Sequence, residues 1–394
     1  MRVTRDLDLA EECAQDAFAR ALTAWPADGV PDRPGAWLTT VARRRALDVL
    51  RREAALRRAL PLLVVDEVES QVVEPQVVEE DAIADDRLRL VFTCAHPALN
   101  PDARVALTLR LLCGLTTAEI AKAFLVAEAT MAARLTRAKK KIAVARIPYR
   151  VPDAAQLPER LDAVLTVVHL LFTVGHTAPS GPDLIRADLV ERALDLARML
   201  RQLLPADPEV AGLLALLELT HARRLTRTDD SGRLLLLDEQ DRSRWDRRAI
   251  DAATPLVRES LRARPPGRFA LQAAIAAVHA EAASYADTDW REIVALYGVL
   301  LARWPSPVVA LNRAVAIGLA DGPAAGLAEL EPLGREPALA TYAYLPAARA
   351  DFLRRLGRYD EAAAAYAEAA LMTDNDVERA FLHRRYDEVR AASQ

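Results

Sequence analysis

Apolar residues recur at helical spacing along this chain, and no stretch alternates at strand spacing over more than a few residues. The clearest case is the series Met131, Leu135, Ala138 and Ile142, which falls at i, i+4, i+7 and i+11. Such a stripe lies on one face of a helix and has to be buried against a partner. Ala, Leu, Arg and acidic residues dominate the composition, and they favour helix over strand. The pattern predicts an all-α fold.

At 394 residues the chain is too long for one ordinary domain, so we expect two or three. Its three cysteines, Cys13, Cys94 and Cys113, cannot build a disulfide framework. No apolar run reaches the roughly 18 residues that a membrane span needs. The N-terminus also lacks the apolar stretch of a signal peptide. These features predict a soluble, cytoplasmic protein without membrane contact.

Charge is unevenly distributed along the first 150 residues. Residues 33–58 hold eight arginines, residues 66–86 hold nine acids and no base, and residues 134–150 hold seven bases and no acid. Two basic blocks separated by an acidic stretch indicate two anion-facing surfaces, for which nucleic acid is the first candidate. The alternative is that a chain rich in arginine simply carries it everywhere.

Proline, glycine and charge patterns divide the chain into segments. The first segment holds two helices, over residues 6–25 and 34–58, and we expect Pro26 and the turn-forming Asp28-Gly29 to end the first. Val-Val-Glu repeats with Pro61 and Pro75 indicate a flexible acidic linker. The predicted segments are a first helical domain (1–58), the linker (59–84), a second helical domain (85–147) and a C-terminal helical domain (152–394).

The second domain holds the most specific local signal. Thr116-Thr117-Ala118-Glu119 is a capping-box pattern that starts a short helix at Thr116. Leu125-Val126-Ala127 makes a tight connection to a longer helix that carries the apolar stripe, with basic residues beside it. A short helix, a tight turn and a slim basic helix are typical of a helix-turn-helix. A solvated basic helix within a bundle is the alternative.

The helix at 34–58 carries the other basic block. Trp37 lies beside arginines, and unstacked bases can stack on such a ring. The alternative is that Trp37 is buried, and that Asp48 pairs with Arg44, Arg51 and Arg52 at i±3 and i±4.

Together these motifs resemble a known family. The stretch from Asp8-Leu9-Ala10-Glu11-Glu12 to Phe18, and that from Pro34-Gly35-Ala36-Trp37 to Asp48, resemble region 2 of sigma-70-like factors of the extracytoplasmic-function (ECF) group. Gly114-Leu115-Thr116-Thr117-Ala118-Glu119 to Lys141 resembles region 4, the helix-turn-helix. Asp241-Arg242-Ser243-Arg244-Trp245-Asp246 and Leu271-Gln272-Ala273-Ala274 to Ala277 resemble the subgroup with a fused tetratricopeptide-like extension.

The resemblance implies partners and site residues. Region 2 of such factors docks on the clamp helices of the RNA polymerase β′ subunit and captures the melted −10 promoter element, while region 4 binds the β flap and reads the −35 element. The implied polymerase-binding residues are Asp8, Glu11, Glu12, Gln15, Asp16 and Phe18. The implied −10 residues are Trp37, Arg43, Arg44, Asp48, Arg51 and Arg52. The implied −35 residues are Thr116, Glu128, Ala129, Thr130, Ala133, Arg134, Arg137, Lys140 and Lys141.

The family's region 2 begins with a further helix before the matched stretch, and this chain starts at Met1 almost inside the motif. The resemblance therefore implies a region 2 that is partial at its N-terminus.

The C-terminal segment shows a tetratricopeptide period. Gly357-Arg358-Tyr359-Asp360-Glu361-Ala362 fits the repeat's turn and second helix, and Gly322 and Thr288 take the same place about one repeat and two repeats earlier. Repeats of this kind stack into a concave surface that binds a protein or peptide partner. The alternative is a self-packed bundle that only supports the DNA-binding part.

Signals for enzyme chemistry are weak. Cys94-Ala95-His96 with Cys113 offers three soft ligands without paired spacing or a fourth partner, so we predict no metal. Phosphate-binding glycine loops and nucleophile patterns are absent from the sequence, which predicts no catalytic site and no cofactor. Two other functions remain open: a one-component helix-turn-helix regulator with a sensing domain, and a tetratricopeptide scaffold with a degenerate DNA-binding part.

Overall fold

The computed structural model describes residues 3–4, 6–59, 89–124, 126–152 and 156–393. The predicted acidic linker, 59–84, lies outside them except for its first residue. The all-α prediction is confirmed, with 73% of the residues helical. None of the helices formed by the described residues is long and apolar enough to span a membrane.

The described residues form a series of α-helices, which are numbered in chain order. Residues 89–94 are helical too and carry no number. The numbered helices are α1 (Leu7–Asp28), α2 (Pro34–Ala59), α3 (Pro101–Cys113), α4 (Thr117–Ala123), α5 (Glu128–Val144), α6 (Leu157–His176), α7 (Ala187–Leu203), α8 (Pro208–His221), α9 (Arg247–Ser260), α10 (Arg268–Glu281), α11 (Trp290–Arg303), α12 (Pro307–Ala320), α13 (Pro323–Leu330), α14 (Tyr344–Arg355), α15 (Tyr359–Met372) and α16 (Asp376–Ala392).

The chain forms two compact units. Unit 1 consists of Met1–Gly114 and Ala129–Val164, and unit 2 consists of Leu115–Glu128 and Leu165–Gln394. The short helix α4 therefore belongs to unit 2, whereas nearly all of α5 belongs to unit 1.

Helix α1 starts at a side-chain cap and runs past its proline. The Asp6 carboxylate accepts a hydrogen bond from the backbone N–H of Leu9 at 2.9 Å. The predicted end at residue 25 was wrong, because the helix continues through Pro26 to Asp28, whereas the predicted turn at Asp28-Gly29 does end it. A proline in the last turn removes only one backbone hydrogen bond. The helix ends where Gly29 takes a φ of 83°, a conformation that glycine adopts without strain.

Unit 2 is tied together across a long sequence separation. Ser180–Gly181 and Asp374–Asn375 pair as two short parallel strands. The buried Asn375 amide donates to the backbone oxygens of Ala178 at 3.0 Å and Asp183 at 2.9 Å. These bonds satisfy buried backbone acceptors, and they fix the start of α16 beside the end of α6.

The C-terminal helices follow one another as pairs. Gly322, with a φ of 104°, separates α12 from α13, and Gly357, with a φ of 73°, separates α14 from α15. Helices α11, α13 and α15 begin at residues 290, 323 and 359, close to the predicted period. Their identity as tetratricopeptide repeats stays a prediction.

Candidate nucleic-acid interface

Helix α5 separates an apolar face from a polar one. Met131, Leu135, Ala138 and Ile142 are buried, as their spacing predicts. The other face is built mostly from small or basic side chains, so it is slim enough to enter a DNA major groove. The exposed residues implied for −35 contact are Glu128, Ala129, Thr130, Ala133, Arg137, Lys140 and Lys141.

The basic side chains of α5 differ in the bonding partners that they have within unit 1. The Arg134 guanidinium is half-buried and donates to the Asp102 carboxylate at 3.0 Å. Arg137 donates only to the backbone oxygen of Ala133, at 3.2 Å. Among the described residues, no carboxylate pairs with Arg137, Lys140 or Lys141. These three cations are available to phosphate groups.

Thr116 caps α4 and is exposed. Its hydroxyl accepts from the Glu119 N–H at 3.2 Å, while Glu119 Oε2 accepts from the Thr116 N–H at 2.7 Å, so the predicted capping box forms. Glu119 Oε1 also accepts from Arg186 at 2.6 Å, and Lys122 pairs with Asp374. The hydroxyl predicted to contact DNA is thus already bonded within the cap, and two ion pairs fix α4 within unit 2.

Helix α2 presents a basic surface. Arg44, Asp48, Arg51 and Arg52 are exposed, and Arg43 is half-buried. No ion pair joins Asp48 to the neighbouring arginines in the part of the chain that the structure describes. The alternative interpretation of this helix, with Asp48 neutralising the arginines, is therefore wrong.

Trp37 is half-buried and packs on α1. Its ring meets that of Trp25 edge to face, with 5.5 Å between centroids and an interplanar angle of 62°. Such a contact stabilises the α1–α2 pair and leaves part of the Trp37 ring accessible to a base.

The acids of α1 are partly engaged inside unit 1. Lys139 Nζ, on α5, donates to Glu11 Oε2 at 2.7 Å and to Asp8 Oδ1 at 2.9 Å. Asp16 pairs with Arg45 at 2.7 Å. Among the residues implied for polymerase binding, Glu12, Gln15 and Phe18 are exposed, and no described residue pairs with them in this way. Phe18 is 58% exposed, an unusual position for a large apolar ring.

Sequence reasoning missed the role of Lys139. Burial acts to lower the pKa of its ammonium group, but the hydrogen bonds that it donates to Glu11 and Asp8 outweigh burial and raise the pKa. Lys139 follows Leu135 by four residues, so it lies at the edge of the apolar stripe. A lysine at such an edge needs an acidic partner, and that position is the signal that could have identified it.

Cys94 and His96 belong to the segment that offers soft ligands in the sequence. Cys94 is buried, and His96 Nδ1 accepts from the Ala98 N–H at 3.1 Å. Across the described ranges, no three His, Cys, Asp or Glu side chains are arranged to hold a metal ion.

Three protein families match parts of the chain. Residues 1–56 match the family described as Sigma-70 region 2, and residues 89–142 match Sigma-70, region 4. Residues 160–261 match a family of unknown function, DUF6596. The first two matches cover α1, α3 and α4 and most of α2 and α5, and these sigma domains belong to a non-enzymatic family.

Two relatives set these matches in context. Uncharacterized protein R00370 of Rhizobium meliloti is 44% identical over 99% of this chain and 92% of its own length. Probable ECF RNA polymerase sigma factor SigI of Mycobacterium tuberculosis is 30% identical over 39% of this chain and 52% of its own length. No solved structure matches.

Proposed function

We propose that this chain is an ECF-type sigma factor. It belongs to one family with R00370 of Rhizobium meliloti, and it carries sigma-70 regions 2 and 4. It binds core RNA polymerase in the cytoplasm and directs it to promoters. Region 2 captures the −10 element, region 4 reads the −35 element, and the C-terminal tetratricopeptide-like domain modulates activity. That domain also offers a surface to a protein partner.

The observation that carries the proposal is the two-sided character of α5. Its apolar stripe is buried, and its other face exposes Thr130, Ala133, Arg137 and Lys141. Small side chains at the N-terminal end let the helix approach base edges, while cations at its C-terminal end suit phosphates. The match to region 4 covers this helix.

The arginines of α2 support contact with the −10 element. Arg44, Arg51 and Arg52 are exposed and have no carboxylate partner among the described residues. Guanidinium groups pair with phosphates and stack on unpaired bases, the two contacts that a melted strand offers. Trp37 adds an aromatic edge to the same helix.

One exposed face of α1 supports polymerase docking. Gln15, Phe18 and Leu22 recur at i, i+3 and i+7, and Phe18 and Leu22 are 58% and 79% exposed. Large apolar side chains at helical spacing, with the acidic Glu12 beside them, form an amphipathic surface typical of protein interfaces. We infer that Phe18 is the central polymerase contact.

The test is equilibrium binding of purified core RNA polymerase to the full chain. Phe18→Ser should weaken binding by at least about tenfold, the effect of losing a buried aromatic contact. The matched control is Leu371→Ser, which changes another highly exposed apolar residue and should bind normally. Failure of the unaltered chain to bind core polymerase would refute the proposal.

A further inference from the structure

Unit 2 contains a cavity of about 1220 Å³ that the function proposed above does not use. Helix α10 lines it with Arg268, Gln272, Ile275 and His279, which recur at i, i+4, i+7 and i+11 and so share one helix face. Faces of α6, α8, α11 and α12 also line it. Ligand pockets for small molecules usually measure about 300–1000 Å³, so this cavity accommodates a substantial organic ligand.

Arg223 is a cation in this wall without a counter-ion. It follows the end of α8 and is half-buried on the cavity side. In the described parts of the chain no carboxylate pairs with its guanidinium, and no side chain or backbone atom accepts a hydrogen bond from it. Burial lowers the pKa of Arg223, and Arg242 adds to the effect. Enclosing a guanidinium without an anion is costly, so the site favours a ligand that brings one.

The other charged groups of the cavity already have partners in the chain. Asp374 pairs with Lys122, and Glu378 accepts hydrogen bonds from the hydroxyls of Tyr344 and Thr373. Arg268 lies over the Phe269 ring, 4.5 Å from its centroid, and donates to the Thr166 hydroxyl. Asp374 and Glu378 therefore have partners of their own, and among the described residues neither of them pairs with Arg223.

His169 and His279, which also line the cavity, carry no charge near neutral pH. Burial lowers the pKa of His169 to about 4, with Arg268 contributing. Burial likewise lowers the pKa of His279 to about 3, with Arg223 and Arg242 contributing. Neutral imidazoles can donate or accept hydrogen bonds without repelling a ligand. The charged group of the ligand is then recognised by Arg223.

The remaining wall is rich in aromatic side chains. Trp245, Tyr297, Trp304 and Tyr342 all line the cavity. Such rings offer flat apolar surface with a polar edge, which suits a planar or apolar ligand body. We propose that this cavity binds a small organic anion, whose carboxylate or phosphate group pairs with Arg223 and whose apolar body packs on the aromatic wall.

Binding at this site acts on the first helix of the helix-turn-helix. Ala121 and Lys122 of α4, and Val126 and Ala127 after it, line the same cavity. A ligand there touches the helix that the Lys122–Asp374 and Glu119–Arg186 pairs already hold in unit 2. The consequence for promoter recognition rests on the proposed function, whereas binding itself does not.

The test is calorimetric titration of the full chain, without polymerase or DNA, using 2-naphthoate, 2-naphthyl phosphate and the neutral 2-naphthamide. We expect at least one of the two anions to bind at least about tenfold more tightly than the amide, because a buried charge pair separates them. The preferred anion identifies the carboxylate or phosphate class. Equal affinity for amide and anions, or no binding of either anion, would overturn the proposal.

Two arginine variants locate the anion. Arg223→Met keeps an unbranched stem and removes the charged guanidinium group, so it should weaken binding of the preferred anion by at least about tenfold. Arg262→Met, which changes an exposed arginine outside the cavity wall, should bind normally. Without ligand, Arg223→Met should melt at or above the temperature of the unaltered chain, because it removes a buried uncompensated charge. Unchanged anion affinity in Arg223→Met, or a melting temperature well below that of the unaltered chain, would exclude the assigned role.

Hydrogen exchange tests the link to α4. Saturating amounts of the preferred anion should slow amide exchange in residues 117–123, with residues 323–330, none of which lines the cavity, as an internal reference. Binding without any change in α4 would refute the link and leave the site itself standing.

Discussion

The ammonium of Lys139 lies 2.7 Å from the Glu11 carboxylate, and this pair joins the basic helix α5 to the acidic helix α1. Both side chains are largely covered, at 20% and 27% exposure, so the pair is shielded from solvent more than a surface ion pair is. Asp8 completes the arrangement at 2.9 Å. Two acids proposed to face polymerase are thus engaged within the chain itself.

Replacing Lys139 tests that engagement. Lys139→Met removes both ion pairs and should lower the free energy of unfolding by about 1–2 kcal/mol, since two charge-assisted hydrogen bonds are lost. It also frees Asp8 and leaves Glu11 only its longer ion pair with Arg110, at 3.7 Å, so affinity for core polymerase should rise. Urea unfolding and a polymerase titration measure the two effects. Lys140→Met, at an exposed position, is the control, and equal effects of both substitutions would contradict the assignment.

The exposed cations of α5 should give a salt-dependent contribution to DNA binding. Arg137→Ala and Lys141→Ala each remove about one phosphate contact, which should reduce the slope of log affinity against log salt by about 0.9. Binding of a duplex promoter fragment between about 50 and 200 mM salt measures the slope. Arg262→Ala changes an exposed arginine away from this helix and should leave the slope as it is. An unchanged slope in both α5 variants would show that Arg137 and Lys141 do not contact phosphates.

Two glycines in unit 2 should respond to alanine in opposite directions. A Cβ at Gly212 would lie 2.7 Å from the Ala270 backbone nitrogen, so Gly212→Ala must push α8 and α10 apart and should cost about 1–3 kcal/mol. A Cβ at Gly298, inside α11, meets nothing within 4 Å. Gly298→Ala should therefore stabilise by about 0.5–1 kcal/mol through helix propensity. Thermal unfolding of both variants measures the difference. Equal shifts of the melting temperature in the two variants would contradict the prediction.

Stability should fall on mild acidification because buried histidines resist protonation. The pKa of His279 is lowered to about 3 by burial and by Arg223 and Arg242, whereas an unfolded histidine titrates near 6.5. Stability is full above about pH 6.5 and is lost as pH falls towards 3, since the unfolded state takes up the proton first. At about pH 5 the loss from His279 is roughly 2 kcal/mol.

Urea unfolding at about pH 7.5 and pH 5 measures this loss, and His279→Gln should reduce it. His383→Gln, at an exposed position, is the control and should preserve the full pH dependence. A pH dependence unchanged by His279→Gln would show that the imidazole is not the group responsible.

Local sequence signals predicted the helices and their caps well. The stripe on α5 and the capping box at Thr116 depend on residues only three or four positions apart, so spacing alone reveals them. The helix end near Pro26 was predicted too early, because a proline indicates that a helix ends nearby but not how many residues of the last turn follow it. Helix identity was therefore more predictable than the position of a helix end.

The pairs that define the sites were not predictable in the same way. Lys139 and Glu11 are 128 positions apart, and the walls around Arg223 come from helices spread over unit 2. Periodicity identifies which face of a helix is buried but not which distant side chain meets it. A basic residue at the edge of an apolar stripe signals that an acidic partner exists, while its identity depends on the folded chain.

Run-off transcription by core RNA polymerase supplied with this chain, on a promoter found by genome-wide binding, tests most directly whether the chain acts as a sigma factor. We expect specific transcripts with the unaltered chain, and a loss of at least about tenfold with Arg51→Ala combined with Arg52→Ala on α2, because each lost contact contributes about 1–3 kcal/mol. Arg262→Ala should transcribe normally. A chain that binds the promoter as duplex DNA but gives no specific transcript with core polymerase would contradict the sigma-factor account.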